Sequence, residues 1–94
     1  MNLNSAKVDG DLLLLLQERS LAPQALLPVV VRCARGRLDE IEELIKSRKG
    51  RIRHRLDPLD SLSAWVSINQ LAELSHHDGV VDLELPQAHR LAAF

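Results

Sequence analysis

Aromatic residues are almost missing from this chain: Trp65 and Phe94 are the only two, and rings make up 2% of the sequence. The core must therefore be aliphatic, and sites that stack cofactor or nucleobase rings are nearly excluded. Cysteine is just as scarce. The lone Cys33 forbids an intramolecular disulfide and any multi-thiolate metal centre, and it fits a reducing compartment. Four Gly and four Pro in 94 residues are too few for a low-complexity or collagen-like chain. Charge of one sign is not in excess either. Twelve Lys and Arg stand against 13 Asp and Glu, for a net charge of −1, so no global field draws the chain to nucleic acid or to an anionic membrane. The longest leucine run, Leu12 to Leu16, spans five residues, far below the ~20 needed to cross a bilayer. It follows Asp9 and Asp11 with only Lys7 as a nearby cation, which is not the pattern of a signal peptide. The chain is expected to be soluble and cytoplasmic.

What remains is globular composition, 46% apolar and 27% charged, and a length of 94 residues that holds one core. Residues 1–10 are polar and read as a loose lead ending in Asp9-Gly10. Asp11 to Ser20 is leucine-rich and predicts a short helix. Pro23 and Pro28 mark a break, after which Leu26 to Ala34 is β-branched and apolar, a strand with Pro28 at its start or on an edge. Arg37 to Lys49 carries Leu38, Ile41, Leu44 and Ile45 at helical spacing, with acids early and Lys46, Arg48 and Lys49 late, in the order the helix dipole favours. Gly50 is expected to supply the left-handed residue that ends this helix.

Arg51 to Leu56 alternates strictly, which predicts a strand with Ile52, His54 and Leu56 inward and Arg51, Arg53 and Arg55 outward. Asp57-Pro58-Leu59-Asp60 is a turn, and Ser61 to Ile68 alternates again, completing a hairpin. Asn69 is positioned to cap a helix through Ser75, Asp78-Gly79 closes it, and Val80 to Leu85 is the last strand. Pro86 stops that strand, leaving an extended tail. The order is strand, helix, strand, strand, helix, strand. Right-handed crossovers put both helices on one side of a four-stranded antiparallel sheet, the α+β split βαβ arrangement. The division is 1–25 for lead and short helix, 26–85 for the folded unit and 86–94 for the tail. The uncovered sheet face is expected to show Arg51, Arg53, Arg55, Ser63, Trp65 and Ser67.

Catalytic chemistry finds little support. His54, His76, His77 and His89 have no metal-site spacing, Cys33 in an apolar strand reads as inert core, and there is no phosphate loop or paired-carboxylate signal. The chain is expected to be no enzyme and to hold no metal or cofactor. The arginine row beside Trp65 suggests an RNA-binding sheet, but such sheets stack bases on two or three rings and one is available.

From Gly50 onward the chain resembles the subtilisin propeptide family of protease inhibitors. The resemblance rests on an ordered set: Gly50-Arg51-Ile52 after a helix, the strand Leu62-Ser63-Ala64-Trp65-Val66-Ser67-Ile68, then Asn69-Gln70-Leu71-Ala72-Glu73-Leu74, then Asp78-Gly79-Val80-Val81-Asp82-Leu83-Glu84. Leu26 to Lys49 fits the preceding strand and helix. Residues 1–22 lie outside the family's usual core, and Trp65 replaces the Gly-Phe-type residues common in its hairpin. The resemblance implies a ferredoxin-like βαββαβ fold and an inhibitor, stand-alone or a cleaved prodomain, that also chaperones the folding of its subtilisin-like serine protease.

In that family the open sheet face, here Trp65, Ser63, Ser67 and Arg53, packs on two protease helices. Acids of the hairpin region, here Asp57 and Asp60, cap those helices, and the C-terminal tail lies in the substrate cleft like a cleaved product. Leu91, Ala92, Ala93 and Phe94 would be that tail, with Phe94 in the primary specificity pocket. The alternative is a small ferredoxin-like regulatory or oligomerisation domain that binds a ligand or protein on its open face.

Overall fold

The computed structural model describes residues 3–18 and 25–86. Among them α1 runs over Gly10–Glu18, β1 over Leu26–Cys33, α2 over Leu38–Ser47, β2 over Arg51–Leu56, β3 over Ser61–Ser67, α3 over Ile68–Ser75 and β4 over Val80–Glu84. The four strands form one antiparallel sheet in the order β2-β3-β1-β4. With α2 and α3 as the two crossovers this is the ferredoxin-like βαββαβ arrangement expected from the alternation of periods. Among the described residues the core is aliphatic apart from Cys33: Val29, Val31, Leu62, Ala64, Val66 and Leu83 from the sheet meet Ile41, Ile45, Leu71 and Leu74 from α2 and α3, all nearly inaccessible to water.

Residues 3–9, expected as a loose lead, are docked. Val8 bridges Leu83 in parallel along the outer side of β4, and the Asp9 N–H donates to Leu83 O at 2.8 Å. Lys7 Nζ donates to His77 O at 2.8 Å and the Asn4 N–H to Ser75 Oγ at 2.9 Å, so this segment satisfies groups at the end of α3. Leu12 of α1 is fully buried in the common core. Apolar burial of this kind contributes about 2 kcal/mol per leucine, enough to draw a polar lead with two apolar anchors onto the domain.

The strands begin where expected and three of them end one residue early, at Cys33, Ser67 and Glu84, but β2 breaks its alternation. Arg51 lies opposite Trp65 and Ile52 opposite Ala64; the register then slips, His54 faces Ser63, Arg55 faces Leu62 and Leu56 faces Ser61. Arg53 is the extra residue of a bulge. A slip of one residue exchanges the faces, so His54 and Leu56, expected inward, turn to the open side. Arg55, expected outward, turns to the helix side. Strict alternation in the sequence conceals the bulge because Arg53, His54 and Arg55, the residues at the slip, are polar enough to tolerate either face.

Helix ends also differ from expectation. Ser67, not Asn69, caps α3: its hydroxyl accepts from the Gln70 N–H at 3.2 Å while Gln70 Oε1 accepts from the Ser67 N–H at 3.1 Å, a reciprocal capping box. At the end of α2 the left-handed residue is Lys49, at φ 69°, and Gly50 follows it. Gly50 N–H donates to Ile45 O at 2.9 Å and Lys49 N–H to Lys46 O at 3.1 Å, the paired bonds of a Schellman stop. Glycine at 50 answers a close approach instead: a Cβ there would lie 2.6 Å from Ile45 Cγ2 and 3.1 Å from Gln70 Nε2.

Gly50→Ala should therefore destabilise the domain by about 1–3 kcal/mol through overpacking. Lys49→Gly should be near neutral, because relief of the left-handed cost offsets the added entropy of the unfolded chain, each about 1 kcal/mol. Urea denaturation of both variants checks this; the opposite ranking would return the helix stop to Gly50.

Candidate functional site

The sheet face opposite α2 and α3 is built from alternate residues of all four strands. Across its middle run His54, Ser63, Val30 and Glu84, and across the hairpin end run Leu56, Ser61, Arg32 and Asp82. At the other end Trp65 of β3 stands between Arg51 of β2 and Pro28 of β1 as cross-strand neighbours. Trp65, Ser63 and Val30 are half-buried, whereas Arg32, Arg51 and His54 are exposed. Leu56 and Leu59, 45% and 67% exposed, are large apolar side chains at the rim. A shallow groove of about 370 Å³ runs among Val30, Arg32, Leu56, Leu59, Ser61 and Glu84. Its charges are mixed: Arg32 Nη1 lies 3.8 Å from Asp82 Oδ2, a loose and solvated pair.

Of the residues singled out from the sequence, Trp65 and Ser63 lie on this face. Ser67 lies at its end with its hydroxyl committed to capping α3. Arg53 sits in the bulge at the sheet's outer strand. Asp57 and Asp60 belong to the turn; Asp60, the nearer, is five residues or about 17 Å from Trp65 along β3. Leu91, Ala92, Ala93 and Phe94 lie outside the described residues. Reading β2 and β3 alone missed Val30, Arg32, Asp82 and Glu84; the signal was present in β1, where Arg32 alternates with the buried Val31 and Cys33.

The turn carboxylates form a second, helix-side constellation. A cleft of about 150 Å³ is lined by Gly36, Leu38, Asp39, Arg55, Asp57 and Asp60. The Arg55 guanidinium reaches Asp57 Oδ1 and Asp39 Oδ1 at 2.7 Å each and Glu42 Oε1 at 2.9 Å. Lys46 Nζ closes on Glu42 Oε2 at 2.9 Å. These bonds, from Lys46 first and Arg55 second, hold the Glu42 carboxyl below its usual range. Asp60 adopts a left-handed conformation, φ 49°, and its carbonyl accepts from the Cys33 N–H at 2.8 Å, tying the turn to the end of β1. Burial, reinforced by the Asp60 charge, pushes the Cys33 thiol up to about 11, so at neutral pH it stays an uncharged thiol.

A third cluster, Arg37 with Glu40 at 2.6 Å and Asp78 at 3.0 Å, joins the start of α2 to the loop after α3. His77 Nδ1 accepts from the Gly79 N–H at 2.9 Å and its Nε2 lies 3.2 Å from Glu40. Among the described residues no three His, Cys, Asp or Glu side chains converge as metal ligands, and no helix is long and apolar enough to cross a membrane.

Because Glu42 is held below the ordinary value of 4.5, its stabilising effect is complete above that pH and disappears as pH falls through its lowered folded value. Glu42→Gln should cost about 0.5 kcal/mol at pH 7 and less at about pH 3. Urea midpoints at the two pH values test it; an equal loss at both would show a packing effect instead of a charge effect. No family model, curated protein or solved structure matches the chain.

Proposed function

We propose that the chain inhibits a subtilisin-like serine protease, as a stand-alone inhibitor or a cleaved prodomain that also templates its enzyme's folding, and that its C-terminal tail occupies the active site as a product does. The observation that carries this reading is the open sheet face: a ferredoxin-like sheet covered on one side by α2 and α3 and carrying half-buried Trp65, Val30 and Ser63 on the other. The motifs that resemble the propeptide family coincide in order with β2, β3, α3 and β4. A rigid sheet surface and a substrate-like tail divide the work. The sheet supplies affinity through an aromatic anchor, Trp65, and the body holds the tail at a high effective concentration beside the cleft. Residues 86–94, the proposed tail, follow β4 and Leu85 in the sequence.

The turn acids contribute at one end of the hairpin. Asp57 has one oxygen on Arg55 Nε and a side chain 66% exposed, so it can still accept from an orphan helix N–H of a partner. Its replacement by Ala is then expected to lower the stability of the free chain as well as that of the complex, unlike a pure interface residue.

Inhibition of a subtilisin by the intact chain should be competitive. Trp65→Ala should weaken it by about 2 kcal/mol, roughly thirtyfold. Deleting Leu91 to Phe94 should remove most inhibition without loss of the folded body, and the isolated tail peptide should bind far more weakly than the whole chain. Noncompetitive inhibition, or inhibition undiminished by the deletion, would favour the regulatory or oligomerisation alternative on the same sheet face.

A further inference from the structure

The two edges of the sheet are treated differently. The outer side of β4 is covered by Val8 and Asp9, with Asp9 N–H bonded to Leu83 O. β2 is the other terminal strand, and among the described residues no segment pairs with its outer side. Its outward N–H and C=O groups form a row that an extended chain can match.

The same edge concentrates positive charge in a chain whose net charge is −1. Lys46, Arg48 and Arg55 are engaged with Glu42, Glu73 and the Asp39, Glu42 and Asp57 group. Lys49, Arg51, Arg53 and His54 are exposed, and among the described residues their side chains make no ion pair or hydrogen bond. We propose that the outer edge of β2 binds an extended acidic segment of a partner protein as an added strand. This inference does not rest on the protease reading, although the two share the side chains of Arg51, Arg53 and His54 at the margin of the open face.

The bulge sets what that segment looks like. Arg51 and His54 face Trp65 and Ser63, which are two residues apart on one side of β3, so the bulge makes them successive positions on the open face. A strand added about 4.8 Å away places its residues i and i+2 opposite them. Carboxylates fit there. On the helix side Ile52 is apolar and Arg55 already holds three carboxylates, so the alternate residues of the guest should be uncharged. The preferred guest therefore alternates Asp or Glu with apolar residues. A second copy of β2 is disfavoured, because it would bring like charges against one another across the new pairing. Nucleic acid would meet the cations but leave the row of backbone groups unmatched.

The test uses the intact ¹⁵N-labelled chain and an acetylated, amidated octapeptide alternating Glu and Val. Amides of residues 51–56 should shift and exchange more slowly with solvent, with binding that weakens as salt rises. Arg51→Glu combined with Arg53→Glu should weaken binding roughly tenfold while far-UV circular dichroism stays unchanged. A peptide alternating Lys and Val should not bind. Three results would each overturn the proposal: no response of β2 at millimolar Glu-Val peptide, equal binding of that peptide N-methylated at alternate residues, or equal binding of an oligothymidylate of matching length.

Discussion

One guanidinium, that of Arg55, joins the strand, helix and turn that fix the shape of this domain. It reaches Asp57 in the hairpin turn and both Asp39 and Glu42 on α2. It can do so only because the bulge at Arg53 has rotated the end of β2 by one residue. Without that slip Arg55 would face solvent across the open sheet, and His54 and Leu56 would be pressed beneath α2. Each ion pair is partly exposed and individually weak. Their collective effect is geometric: they select one register for the hairpin and one position for the start of α2.

That choice divides the sheet into two surfaces with different tasks. On the helix side aliphatic residues close a core that has no aromatic ring among the described residues, and Gln70 joins it by donating to Ile45 O at 3.2 Å while also serving the cap of α3. The other side retains the half-buried Trp65, the mixed charges of Arg32, Asp82 and Glu84, and the groove edged by Leu56 and Leu59. A lone tryptophan between a proline and an arginine suits a surface that meets another protein better than one that stacks bases, and it is on this surface that the protease-inhibitor reading rests.

The architecture was largely legible because period and charge agreed. In α2 the apolar spacing, the early acids and the late bases all specify the same helix, and in β3 the alternation of serine with aliphatic residues specifies both strand and buried face. What escaped was local geometry that composition does not encode. Arg51 to Leu56 reads as perfect alternation, yet only tertiary ion pairing decides that Arg55 and not His54 turns inward. Gly50 carries the usual mark of a left-handed stop, but the backbone places Lys49 there and needs glycine next to it for the contact with Ile45. Ser67 and Asn69 are both good caps, and the partner Gln70 three residues after Ser67 decides between them. Of the candidate site, Trp65 and Ser63 could be placed from β3 alone; Val30, Arg32, Asp82 and Glu84 required the strand order.

The central claim is that the face opened by this register is the one that meets a protease. Methyl resonances distinguish the two sides directly, since Val30, Leu56 and Leu59 lie on or at the rim of the open face while Ile41, Ile45, Leu71 and Leu74 are buried beneath it. In methyl-labelled chain mixed with a subtilisin whose nucleophilic serine is replaced by alanine, the first group should shift or broaden and the second should stay in place. A response confined to the helix-side methyls, or no response at all, would contradict the account.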